Sequence, residues 1–133
     1  MIIGIGNDLV DTNRIEKVWN RHGARFEQRC FTEHERKKAH RRQISGGHIG
    51  VLAKRFAAKE ACAKALGTGF AMGVSIKDIA VVEDETGRPF LELSGGARQR
   101  LYSLIPDGMK PTLHLSLSDE PPMAQAFVII EAI

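Results

Sequence analysis

Hydrophobic residues recur along this chain with two alternating periods, and each change of period marks a predicted element. The segment Ile2–Gly6 is short and apolar, which is typical of a buried strand. From Thr12 to about Arg25 the apolar positions follow a helical period, and this pattern predicts an amphipathic helix. The face of this helix that is predicted to enter the core carries Ile15, Val18, Trp19 and His22.

Helix start and stop signals predict three further helices. Thr32 with Glu35 forms a capping box that opens a helix to about Arg42. Ser45–Gly47 interrupts the chain before a long alanine-rich helix over residues 48–66, which Gly67 ends. A short helix follows over residues 95–104, ahead of Pro106.

The remaining apolar segments predict strands. Alternating apolar residues between positions 74 and 93 suggest two strands joined by the turn-rich segment Asp84–Pro89. Residues 112–118 and 124–131 are predicted to form a last hairpin across Pro121 and Pro122. Taken in order, these elements predict one domain over residues 1–133 with a mixed α+β fold.

Composition narrows the class of protein. The chain has 133 residues, 43% hydrophobic and 26% charged, as expected for a single globular domain. No apolar segment reaches the ~20 residues that a membrane span needs, and the first residues lack the basic region and long apolar region typical of a secretory leader, so we expect a cytoplasmic protein. Cys30 and Cys62 have neither metal-type nor redox-type spacing, and we expect two reduced, buried thiols. A net charge of +3 favours an anionic partner or substrate.

Candidate chemistry begins with two carboxylates and a lysine. Glu60 and Lys64 lie one turn apart in the alanine-rich helix, where small neighbours allow other backbone to approach. A Glu–Lys pair at this spacing is most often an ordinary exposed ion pair. Asp8 follows the first strand directly, at a predicted strand-to-loop junction where functional carboxylates are common. Asp11, in contrast, is suited to capping the next helix together with Thr12.

Several motifs along the chain match a known family in the same order. These motifs are Gly4–Asp8, Phe31–Glu35, Arg55–Ala61, Lys64–Gly69, Thr86–Pro89 and His114–Ser118. Together they resemble the holo-acyl-carrier-protein synthases, the short single-module type of 4′-phosphopantetheinyl transferase. The resemblance implies that family's fold, a small sheet packed on a long central helix, and transfer of 4′-phosphopantetheine from coenzyme A to a carrier-protein serine for fatty acid biosynthesis.

The resemblance also implies roles for individual residues. Asp8, Glu60 and Lys64 are the expected catalytic residues, with Asp8 and Glu60 as ligands of Mg²⁺, a hard cation that prefers carboxylate oxygen. Either Glu60 or a water molecule on the metal ion could take the serine proton, and the sequence leaves both open. The residues expected to contact coenzyme A are Arg55, Lys64, Gly67, Thr68, Gly69, Pro89 and His114.

The expected partners follow from the same resemblance. Acyl carrier proteins are acidic, so a basic stripe of Arg14, Lys17, Arg21 and Arg25 along the first helix is the predicted docking surface. The family's short members imply a homotrimer with sites between subunits. We expect no nucleic acid and no membrane partner. Two alternatives stay open: a nucleic-acid-binding module using the basic segment Arg36–Arg42, and a non-catalytic trimeric scaffold for acidic proteins.

Overall fold

A long helix packed on a three-stranded sheet forms the centre of the molecule. The computed structural model describes residues 1–133, and its elements are β1 (Ile2–Asp11), α1 (Thr12–His22), α2 (Ala24–Cys30), α3 (Glu33–Arg41), α4 (His48–Ala65), β2 (Ile79–Glu83), β3 (Pro89–Leu93), α5 (Gly95–Leu104), β4 (Pro111–Glu120) and β5 (Met123–Ala132). The mixed α+β fold and the long central helix predicted from the sequence are therefore confirmed.

Two antiparallel sheets surround α4. The larger sheet has the order β1-β5-β4, and β2 pairs with β3 in a separate hairpin. Side chains alternate along β5, so Ala124, Ala126, Val128 and Ile130 face α4 and are buried, while Gln125 and Phe127 face outward. None of the helices combines the length and apolar character that crossing a membrane requires.

A buried ion pair fixes α4 to its neighbours on the side away from this sheet. Lys59 Nζ lies 2.8 Å from Glu35 Oε1, and both side chains are inaccessible to solvent. Burial lowers the pKa of Lys59, and the adjacent Glu35 carboxylate opposes this effect. Glu35 also completes the predicted capping box with Thr32 and accepts a hydrogen bond of 2.7 Å from the Val81 backbone N–H. One carboxylate thus joins α3, α4 and β2.

The structure corrects two predictions near the amino terminus and confirms a third. The first strand continues to Asp11, so Asp8 lies within β1, opposite Ala126, and not at a strand-to-loop junction. The first helix ends at His22 and not near Arg25, because Gly23 takes φ 45° and α2 starts immediately after it. Asp11 caps α1 as expected, accepting a hydrogen bond of 2.8 Å from Asn13 N–H.

Burial corrects two more predictions. Ile15 is buried, but Val18 and His22 are exposed, so only part of the predicted α1 face enters the core. Cys62 is buried and Cys30 only half-buried, although both thiols are free as expected.

The last hairpin, the helix over residues 95–104 and the strand pair around residues 84–89 are all confirmed.

Candidate active site

Asp8, Glu60 and Lys64, which are far apart in sequence, line one pocket of about 420 Å³. Asp8 comes from β1, and the other two come from consecutive turns of α4. Lys64 Nζ lies 3.1 Å from Asp8 Oδ1 and 3.0 Å from the backbone oxygen of Asn7. The rest of the lining consists of Leu9, Val10, Arg14, Ile15, Val18, Phe26 and Phe56.

The two carboxylates in this pocket are not equally paired. Lys64 forms its ion pair with Asp8 and not with Glu60, so the simple exposed Glu60–Lys64 pair is not what forms. Glu60 is half-buried and forms no ion pair. Burial raises the pKa of Glu60, the Asp8 carboxylate raises it further, and the Lys64 ammonium opposes both. Two carboxylates therefore share a single ammonium group.

This donor set fits a hard divalent cation that also binds the substrate. No group of three or more histidine, cysteine, aspartate or glutamate residues is arranged to hold a metal ion by itself. Mg²⁺ is commonly bound through one or two carboxylates, with water and substrate phosphate oxygens completing its octahedron. Asp8 and Glu60 supply two such carboxylates, and the raised pKa of Glu60 marks a place where added positive charge is favourable.

Arg55 and Pro89 line a different pocket, of about 230 Å³. Arg55 lies nine residues before Lys64 on α4, which places the two side chains on opposite sides of the helix. The Arg55 side chain is 6% exposed, and its Nε atom has no hydrogen-bond partner. The other residues of this basic pocket are Lys38, Arg42, Val51, Lys54, Gly87 and Leu117. Within one chain Arg55 and Lys64 therefore line separate pockets, and the role of Arg55 as a coenzyme contact stays a prediction.

One carboxylate beside the basic pocket, Glu83, joins two of the basic side chains that line it. Glu83 accepts from Lys38 and His34, each at 2.7 Å, and lies 3.3 Å from the Arg55 guanidinium. Burial opposes ionisation of Glu83, but the hydrogen bonds from Lys38 and His34 and the charges of Lys38 and Arg55 outweigh it and lower its pKa to about 2. Sequence reasoning missed this cluster because its members lie up to 49 positions apart and no local motif links them.

The remaining predicted coenzyme residues lie outside both pockets. Gly67, Thr68 and Gly69 form the loop that follows α4, with positive φ at both glycines. His114 lies on the outer face of the sheet, where its Nε2 atom is 3.0 Å from Glu131 Oε1. A single chain therefore does not bring the expected coenzyme contacts together.

The predicted docking residues are exposed and free of intrachain ion pairs. Arg14, Lys17 and Arg21 project from α1, and Arg25 projects from α2 beyond the break at Gly23. None of the four lies in any of the molecule's salt bridges. Arg14 also lines the pocket that contains Asp8, Glu60 and Lys64 (the Asp8 pocket), where the exposed Val18 beside it forms an apolar rim. Sequence analysis missed this apolar rim because it assigned Val18 to the core.

Comparisons with known proteins agree over the whole chain. A sequence model of the 4′-phosphopantetheinyl transferase superfamily matches residues 4–122. A holo-[acyl-carrier-protein] synthase of Chelativorans sp. is 56% identical over 133 residues, covering 100% of this chain and 98% of the relative. The crystal structure of the Neisseria meningitidis holo-[acyl-carrier-protein] synthase superposes with a TM-score of 0.83 at 37% identity, covering 98% of this chain and 99% of the other.

A second solved structure carries a ligand. The holo-(acyl-carrier-protein) synthase of Bacillus anthracis, in complex with coenzyme A (3′,5′-ADP), is 38% identical to this chain with a TM-score of 0.76. The match covers 98% of this chain and 97% of that one.

Proposed function

Because this chain belongs to the 4′-phosphopantetheinyl transferase superfamily, we propose that Asp8, Glu60 and Lys64 are the catalytic residues of its reaction. The protein is a transferase that moves 4′-phosphopantetheine from coenzyme A to a serine of apo acyl carrier protein. The holo carrier that results is the form used in fatty acid biosynthesis. The observation that carries the site assignment is the convergence of two carboxylates and one ammonium in a single open pocket.

Asp8 and Glu60 are the proposed ligands of Mg²⁺. Bound there, the ion would neutralise charge on the coenzyme pyrophosphate, which otherwise repels an oxygen nucleophile. Lys64 is 54% exposed and can move from Asp8 to a phosphate oxygen. The P–O bond to the carrier serine forms as the bond to the 3′,5′-ADP leaving group breaks. Glu60 is this chain's candidate to accept the serine proton, because it lines the catalytic pocket and forms no ion pair there.

The basic pocket is the proposed site for the nucleotide end of coenzyme A. Arg55, Lys38, Arg42 and Lys54 line it, and Arg55 offers a buried guanidinium that is not fully satisfied within the chain. An arginine fork suits bidentate contacts with phosphate. Pro89 lies in the same pocket, at the start of β3.

We propose a homotrimer with each site shared between two subunits. One coenzyme molecule must contact the residues of the Asp8 pocket and of the basic pocket, which lie on opposite sides of α4. The outer face of the sheet supports such packing, because it exposes Ile5 and Leu9 at 60% each together with Phe127. His114 lies on this same face, so a neighbouring subunit could bring His114 to a coenzyme bound across the contact.

The proposed carrier-docking surface comprises Arg14, Lys17, Arg21 and Arg25 with the apolar rim of the Asp8 pocket. Four unpaired cations suit an acidic helical protein. Arg14 reaches both the exposed surface and the catalytic pocket, so a carrier held there would present its serine to Asp8 and Glu60. Free Cys30 and Cys62 fit the proposed cytoplasmic location, and one core of 26 buried residues fits a single domain over residues 1–133.

Mass spectrometry of an apo carrier protein tests the reaction and the site assignment together. Incubation with coenzyme A and Mg²⁺ should add one phosphopantetheinyl group, and chelation of the metal ion or the Asp8→Ala change should prevent it. Binding of carrier without a mass gain would favour the scaffold alternative. A mass gain that persists with Asp8→Ala at full rate would remove Asp8 from the site.

A further inference from the structure

Gly6 is buried where β1 crosses α4, two residues before Asp8. Because side chains alternate along a strand, Gly6 and Asp8 face the same side, toward the helix. A Cβ atom on Gly6 would overlap the carbonyl oxygen of Ala61. It would also lie 2.7 Å from the Ala61 carbonyl carbon and 3.0 Å from the Ala65 nitrogen. The backbone of β1 therefore rests directly on the backbone of α4.

The part of α4 that Gly6 contacts is the part that carries the catalytic charges. The Ala61 carbonyl and the Ala65 nitrogen are four residues apart, at the spacing of one helical hydrogen bond. Glu60 precedes this turn, and Lys64 lies within it. Any change in the separation of strand and helix at Gly6 thus moves both residues relative to Asp8.

We propose that Gly6 is a positioning residue, whose missing side chain sets the distance between Asp8 and the Glu60–Lys64 turn. This inference rests on the catalytic centre proposed above. A methyl group at position 6 would require the strand and helix to separate by more than an ångström. The Lys64–Asp8 ion pair, now 3.1 Å long, would then open, and the two carboxylates would no longer converge on one cation.

Backbone conformation does not explain this glycine. Gly6 is not among the residues with positive φ, so alanine could adopt its backbone angles. Glycine within a strand is otherwise unfavourable because it loses more conformational freedom on folding. The close approach of the helix is the physical reason for glycine at this position. Gly4 also contacts α4, but against Ala65, the last residue of the helix and beyond Lys64.

The test compares Gly6→Ala with Gly50→Ala in the full-length protein. Gly50 lies in α4 itself, and an added Cβ there would meet only Asp119 Oδ2, at an ordinary 3.8 Å. Mn²⁺ binding, followed by EPR, reports the carboxylate pair independently of turnover. Circular dichroism and thermal unfolding identify the temperature range in which each variant is folded.

We expect Gly6→Ala to weaken Mn²⁺ binding and to lower kcat by about 100-fold, the loss typical of an ångström-scale misplacement, with KM for the carrier nearly unchanged. Gly50→Ala should keep both properties. If Gly6→Ala is too unstable, the same measurements are made at low temperature in the Gly50→Ala background, which removes one unfavourable helical glycine. A Gly6→Ala variant that folds and binds Mn²⁺ like the natural protein would overturn the proposal.

Two further outcomes separate this proposal from the proposed function. Failure of Gly6→Ala to fold in both backgrounds would also overturn the positioning role, because Gly6 would then be required for folding itself. Asp8→Asn, measured in the same Mn²⁺ experiment, tests the metal centre directly. Loss of Mn²⁺ binding in Asp8→Asn but not in Gly6→Ala would reject only the role of Gly6, whereas unchanged binding in Asp8→Asn would reject the metal centre.

Discussion

The Asp8 pocket and the basic pocket lie on opposite sides of α4 and differ in how their charges are matched. In the Asp8 pocket the exposed Lys64 pairs with Asp8 and leaves Glu60 without an ion pair. Burial of Glu60 raises its pKa, and the negative charge of Asp8 raises it further. Beside the basic pocket, one carboxylate, Glu83, is shared by Lys38 and Arg55 of that pocket and by His34. Its burial is outweighed by those partners, and its pKa falls to about 2.

This difference indicates what each pocket can bind. Two converging carboxylates, one of them without an ion pair, favour a cation, and an excess of lysine and arginine favours an anion. A phosphate-rich coenzyme carried with Mg²⁺ presents both charges. The long helix thus holds two complementary half-sites, which face away from each other within one chain.

Removal of either carboxylate from the Asp8 pocket should have the largest effect. We expect Asp8→Ala or Glu60→Ala to lower transfer by roughly 1,000-fold or more, since a bound metal ion supplies several kcal/mol of transition-state stabilisation. Thermal unfolding should change little, because neither change removes core volume. Glu33→Ala is the matched control, since Glu33 forms only an exposed pair with Lys37. Full turnover of either variant at ordinary Mg²⁺ concentration would contradict the assignment.

Lys64→Ala should have the next largest effect and should separate charge neutralisation from metal binding. Loss of a charged hydrogen bond to phosphate predicts a fall in kcat/KM of roughly 10- to 100-fold. The free energy of unfolding should change by no more than about 1 kcal/mol, as for other exposed ion pairs. Mn²⁺ affinity should not fall, because Lys64 competes with a cation for Asp8. Lys37→Ala is the control. Equal kinetics in Lys64→Ala and Lys37→Ala would mean that Lys64 forms only an ordinary exposed ion pair and does not act on phosphate.

Charge reversal at Arg14 should affect the carrier and spare the coenzyme. We expect Arg14→Glu to raise KM for acyl carrier protein by roughly 3- to 10-fold, with the difference shrinking at high salt. KM for coenzyme A should change less than KM for the carrier, because the proposed nucleotide contacts in the basic pocket are unchanged. Lys110→Glu makes the same charge change in the connection before β4. Steady-state kinetics that show the opposite pattern would place the docking surface elsewhere, with Arg36–Arg42 as the next candidate.

Neutralising Glu83, beside the basic pocket, and Glu60, in the Asp8 pocket, should produce opposite pH effects on stability. Because the pKa of Glu83 is lowered to about 2, its stabilising contribution is complete above the ordinary glutamate value and is lost as pH falls toward 2. Glu83→Gln should therefore lower the free energy of unfolding by about 1–3 kcal/mol at pH 7, with a smaller deficit at pH 3. Urea unfolding at the two pH values measures this deficit.

Glu60→Gln should behave in the opposite way in metal-free protein. The raised pKa of Glu60 means that ionisation penalises the folded state, and this penalty accumulates as pH rises from the ordinary glutamate value through the raised one. The variant should be slightly more stable than the natural protein at pH 7 and equal to it at pH 3. Deficits of the same sign in both variants would mean that the two pockets do not differ as described.

Local patterns predicted most of the elements but not their long-range contacts. The capping box at Thr32, the Ser45–Gly47 break and the alanine-rich helix each depend on neighbouring residues, and all three are confirmed. The extent of β1 depends on pairing with β5, more than 110 residues away, so polar Asn7 and Asp8 gave no local sign of a continuing strand. Val18 was assigned to the core for a similar reason, since helical spacing cannot tell a buried face from the apolar rim of a pocket.

The same distinction between local patterns and long-range contacts applies to the residues of the site. Asp8, Glu60 and Lys64 lie in motifs that resemble a known family, and the structure brings them together. Arg55 also lies in such a motif, but the direction in which it projects from α4 depends on helix geometry that the resemblance did not include. Glu83 lies in none of the matched motifs, and it became visible only when α3, α4 and β2 were placed side by side.

The central claim, that half-sites from two subunits form one catalytic site, can be tested by mixing two inactive variants. Asp8→Ala removes the half-site that would bind the metal ion, and Arg55→Ala removes the half-site that would bind the nucleotide end of coenzyme A. The assay uses a coenzyme concentration at which the Arg55→Ala variant is inactive by itself. In a cyclic trimer with shared sites, every mixed trimer contains one intact site. Random mixing of equal amounts, by unfolding and refolding together, should therefore restore about one quarter of the natural activity. The double variant mixed with Asp8→Ala should restore none, and if Asp8→Ala mixed with Arg55→Ala also stayed inactive despite forming mixed oligomers, the shared site would be contradicted.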